Sequence, residues 1–122
     1  MNNNNYGNLF HHNEYKDDAM LLRHAIYELA DHLGHSLENP LSLHLLCLEF
    51  MIPFQVCAEI SIDINKLLHA GIINQSNVYD IVEETMIKHF PDAKDFGESS
   101  IRAFTKAYAK CLTTDMQQFI CK

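Results

Sequence analysis

Apolar residues recur at three- and four-residue spacing along most of this chain, the period of an amphipathic helix. Leu22, Ala25, Ile26, Leu29 and Leu33 set it first and predict a helix over 17–33. Asp17 and Asp18 suit its positive N-terminal end, and Gly34 suits the left-handed position that follows a helix. Asn39 and Pro40 then read as a cap and a first helical residue, predicting a helix from 40 to about 51. Pro53 lacks the N–H that a continuing helix would use and disfavours helical backbone at Ile52, so a break or strong kink is expected there. Val56, Cys57, Ile60, Ile64, Leu67 and Leu68 predict a third helix, over 54–70, ending at Gly71. Within it Glu59–Asn65 alternates with period two, as a strand would, but nothing else in the chain reads as its partner. A fourth helix is expected from 76 or 77 to 89 or 90, where Pro91 stops it. A connector follows, with room for one helical turn at 92–96. The last helix begins near Ser99, with Ile101, Phe104, Tyr108, Cys111 and Leu112 on one face. Thr114 and Gln117 form a capping box that interrupts it before Met116, Phe119 and Ile120. The fold class expected is all-α, a compact bundle of five or six helices.

One stretch departs from a single apolar stripe. Of the twenty residues in Leu41–Ile60, "LSLHLLCLEFMIPFQVCAEI", fourteen are apolar. Glu49, Glu59, His44 and Pro53 interrupt it, no Lys or Arg flanks it, and a central charge costs a membrane helix about 2.5–3.5 kcal/mol, so no membrane span is expected. The segment then either forms the centre of the bundle or is covered on a second face by another chain. Phe50, Met51 and Phe54, around the expected break, are the candidate apolar partner contacts, and the chain is expected to form a homodimer as well as to bind another protein.

Charge narrows the partners. The 122 residues carry a net charge of −7, whereas phosphate backbones are bound by Lys and Arg. No nucleic-acid role is therefore expected. Residues 1–60 hold only Lys16 and Arg23 against eight acidic side chains, while 61–122 are nearly balanced. Arg102, Lys106 and Lys110 recur every four residues and form the main positive stripe. They read as an exposed helix face or as a docking face for an acidic protein surface.

Catalytic and metal signatures are weak. Cys47, Cys57, Cys111 and Cys121 make no C-x-x-C motif, and they read as free thiols in a reducing, cytoplasmic compartment. His24, Glu28 and His32 stand at four-residue intervals on one helix face, which a metal site would require. They also form the polar side opposite Leu22, Ile26, Leu29 and Leu33, which any amphipathic helix needs. No H-E-x-x-H, G-x-S-x-G or phosphate-binding glycine loop is present. No catalytic residue, metal ligand or cofactor is assigned, and the chain is read as a non-enzyme. A histidine/carboxylate metal protein or small enzyme is the alternative.

The opening "MNNNNYGNLFHHNEYKDD" has neither the basic nor the apolar region of a secretory signal. Residues 1–14 read as a flexible Asn-rich tail, and 15–122 as a single helical domain. The asparagine-rich "MNNNNYGN", the small acidic helical body and the lack of a signal peptide resemble small effectors of the Dot/Icm type IV secretion system of intracellular bacterial pathogens. The C-terminal "TTDMQQFICK" lacks the glutamate-rich block often seen in such secretion signals. Some of these effectors antagonise others, and one all-helical protein among them inhibits ubiquitin-modifying deamidase/transglutaminase effectors. The resemblance implies translocation into a host cytosol and, as function, protein binding that inhibits a partner enzyme.

Overall fold

A computed structural model describes residues 14–112 and 114–120. The structure is all-α, and no strand occurs among the described residues. Its helices are α1 (Glu14–His32), α2 (Leu43–Glu49), α3 (Phe54–His69), α4 (Val78–His89), a 3-10 turn (Pro91–Asp95), α5 (Glu98–Leu112) and the four-residue α6 (Thr114–Gln117). The chain divides into two units, Met1–His35 and Ser36–Lys122. The expected tail over 1–14 falls, apart from Glu14, outside the described residues.

The first unit contributes α1. Its C-terminus closes with two backbone bonds: His35 N–H donates to the Ala30 carbonyl at 2.9 Å and Gly34 N–H to that of Asp31 at 3.0 Å. Gly34 takes φ 90°, the left-handed conformation that this cap requires and that glycine adopts without a Cβ penalty.

The second unit packs α2 to α6 around one core. Leu46, Ile60, Ile64, Val78, Val82, Met86, Phe104, Tyr108 and Met116 are all fully buried in it. Ile60 and Ile64, four residues apart, share the inward face of α3, whereas Ile62 is 54% exposed. The period-two run is thus a helix whose middle isoleucine faces outward. Thr85 and Thr105, buried in α4 and α5, return their hydroxyls to the carbonyls of Ile81 and Ile101, which satisfies them inside the core.

The start of α2 differs from expectation. The helix begins at Leu43, not Pro40, because Ser42 is extended (φ −155°) and its hydroxyl accepts from Leu45 N–H at 3.0 Å. Pro40 is instead a buried packing residue ahead of the helix. The expected break is present, with α2 ending at Glu49 and α3 starting at Phe54 directly after Pro53.

Candidate protein-contact surface

The turn between α2 and α3 presents the most exposed large apolar residues of the second unit. Ile52 N–H donates to the Cys47 carbonyl at 2.9 Å and Met51 N–H to that of Leu48 at 3.3 Å. These are the two bonds of a Schellman cap, with Ile52 and Cys47 both buried beneath it. Met51 occupies the left-handed position at φ 59°, and among non-glycine residues described it alone has a positive φ. That conformation costs an L-residue about 1–2 kcal/mol. The cap therefore holds Met51 outward at an energetic cost, and its side chain is 72% exposed. Phe54, on the first turn of α3, is also 72% exposed, and its ring stacks on that of His44 with centroids 5.9 Å apart.

Phe50 anchors this corner from below. Its half-buried ring lies 4.8 Å from Phe96 and 5.1 Å from Phe104, the latter in an edge arrangement that aromatic pairs favour. Of the three expected apolar contacts, Met51 and Phe54 thus face outward, and Phe50 joins them to the core.

The basic stripe on α5 is engaged in contacts within the chain. Arg102 pairs with Glu98 at 3.1 Å, one helical turn away, and its guanidinium lies 4.8 Å over the Tyr79 ring. Lys106 donates to the Glu38 carbonyl and Lys110 to the Pro40 carbonyl, each at 3.1 Å. The two lysines therefore strap residues 38–40 to α5 and line a cleft of about 280 Å³ with Pro40, Gln117 and Ile120. A second cleft, of about 360 Å³, mixes Asp80, Glu83 and Glu98 with Lys94 and Arg102, so charges of both signs line it.

His89 is the last residue of α4 and faces α3. Its Nε2 lies 2.6 Å from Asp63 Oδ2, its Nδ1 lies 3.6 Å from Glu59 Oε2, and Lys88 Nζ lies 3.2 Å from Asp63. The hydrogen bond from His89, and then that from Lys88, holds the Asp63 carboxyl below its ordinary value. This cluster joins α3 to α4, and its partners are 26 residues apart, so no local motif announces it.

Among the described residues no group of three or more His, Cys, Asp or Glu side chains is arranged to hold a metal ion, and no helix is long and apolar enough to cross a membrane. Comparison with known protein families, with curated proteins and with solved structures finds no match.

Proposed function

We propose that this chain is a non-enzymatic protein-binding regulator, and most concretely an inhibitor that covers a partner enzyme. The observation that supports this reading is the α2–α3 corner, where a capped turn holds Met51 in a costly conformation beside the exposed Phe54. Local backbone strain kept in place by surrounding structure is a mark of functional sites. Exposed aromatic and methionine side chains on a rigid support make good interface anchors, because little entropy remains to be lost on docking. In this reading the contact residues are Met51 and Phe54, with Phe50 as their support. Arg102, Lys106 and Lys110 add positive charge that favours an acidic partner surface. A ubiquitin-modifying effector in a host cytosol is the partner class we favour, and a second copy of this chain is the competing occupant.

The test compares affinity capture by the native chain and by a Met51→Asp/Phe54→Asp double variant, followed by an activity assay of the captured partner. The reading expects one stoichiometric partner that the variant loses, and an activity that falls as native chain is added. An identical partner set for both proteins, or a partner whose activity is unchanged by saturating chain, would overturn it. A native chain that sediments as a dimer only when Met51 and Phe54 are intact assigns the corner to self-association instead.

A further inference from the structure

The corner also brings two thiols together. Cys47, near the end of α2, is 4% exposed, and Cys57, on the first turn of α3, is 2% exposed. Their sulfurs lie 2.8 Å apart and both are free thiols. A disulfide has an S–S length of about 2.05 Å, so closure needs less than about 1 Å of further approach. We propose that Cys47 and Cys57 form a reversible disulfide, a redox modification site that locks α2 to α3.

The environment assigns the roles. Cys47 donates to Cys57; this bond, then burial, pushes the Cys47 thiol up. The same bond, which Cys57 accepts, is the main cause that pulls the Cys57 thiol down, against its burial, which raises it; the neighbouring Tyr108 also lowers it. Cys57 is therefore the attacking sulfur and Cys47 the resolving one. With hydrogen peroxide as oxidant, the Cys57 thiolate attacks one oxygen and the O–O bond breaks. The departing hydroxide takes up the proton Cys57 has lost, leaving water and a Cys57 sulfenic acid. Cys47 then loses its proton and attacks the Cys57 sulfur, the S–O bond breaks, and a second water leaves. Two thiols are oxidised by two electrons and one peroxide is reduced to two waters. A dithiol reductant reverses the link. The burial of both sulfurs means that a small, uncharged oxidant reaching them through local opening is favoured over a bulky one.

This inference stands without the docking reading, and its test does not use a partner. The full chain carrying Cys111→Ser and Cys121→Ser keeps only the two thiols in question. It is treated with hydrogen peroxide, quenched with an alkylating reagent after unfolding, and measured by intact mass and peptide mapping. The expected product has lost two hydrogens, resists alkylation at both positions, links the peptides holding Cys47 and Cys57, and recovers both thiols with dithiothreitol. Its melting temperature rises by roughly 5–10 °C, because the crosslink restricts the unfolded chain. Thiols that remain fully alkylatable, oxygen addition without the link, or a link formed only between chains would each overturn the proposal. A link that leaves the melting temperature unchanged overturns the locking role.

Discussion

Met51 stands at the same left-handed position after α2 that Gly71 holds after α3, with φ 59° and 74° respectively. Both turns close with the same pair of bonds: Ile72 N–H reaches the Leu67 carbonyl and Gly71 N–H that of Leu68, each at 3.1 Å. Gly34 repeats the arrangement after α1. Glycine fills two of these three caps, and a methionine fills the one beside the exposed corner.

The first prediction follows from that substitution. Met51→Gly removes the Cβ penalty of the left-handed position, partly offset by the freedom glycine gains in the unfolded chain, and stabilises the protein by about 0.5–1 kcal/mol. The side chain lost is mostly in solvent, so little packing goes with it. Thermal melts are expected to shift up by a few degrees, while the docking proposed for Met51 weakens. Opposite signs in the two measurements separate a functional methionine from a merely tolerated one. Equal or lower stability in Met51→Gly would show that the cap carries no such cost.

Phe104 is the platform under the corner. It is fully buried, lies against Phe50 and Phe96, and continues to Tyr108 with centroids 6.5 Å apart. Phe104→Ala is expected to cost about 3–5 kcal/mol, a large part of a typical domain's stability. Urea unfolding should show the midpoint falling with an unchanged slope. A loss below about 1 kcal/mol would mean that the cluster collapses to fill the cavity.

Lys106 and Lys110 act on a distant segment. Their ammonium groups bond carbonyls 68 and 70 residues earlier in the chain, at Glu38 and Pro40. In the same segment Ser36 N–H donates to the Asn39 carbonyl, and Asn39 N–H to Ser36 through both the carbonyl and Oγ. Replacing both lysines with alanine removes the straps, each worth roughly 0.5–1 kcal/mol at this exposure. Hydrogen exchange at the Ser36 and Asn39 amides is expected to quicken about two- to fivefold per lysine removed. Unchanged exchange would leave the stripe free to serve docking alone.

The helical class and most boundaries were legible because they rest on local chemistry. Gly34 and Gly71 stop their helices by backbone freedom, and Pro53 breaks the apolar run by lacking an N–H. Ser42 took the capping role from Asn39, its hydroxyl accepting from Leu45 N–H while Pro40 is buried ahead of the helix. What local pattern could not carry is long-range. The Cys47–Cys57 apposition depends on how α3 leaves the broken turn, and the lysine straps and the Asp63–His89 contact cross between elements. Phe50, Met51 and Phe54 looked alike as apolar letters. The cap turns Met51 outward and the first turn of α3 turns Phe54 outward, while Phe50 packs on Phe96 and Phe104.

The Asp63–His89 contact makes stability depend on pH in a definite direction. The His89 hydrogen bond, and then the Lys88 contact, hold the Asp63 carboxyl below its ordinary value of 3.8 in the folded chain. A group whose folded value lies below its unfolded value binds fewer protons folded than unfolded, so it stabilises the fold above the unfolded value. That contribution is lost as pH falls from about 4 through the lowered folded value. Asp63→Asn removes the charge but keeps an oxygen for His89. The difference in urea midpoint between native chain and variant is therefore expected to shrink as pH falls below about 4. A gap that stays constant down to the most acidic folded condition would show that the charge on Asp63 contributes nothing to joining α3 and α4.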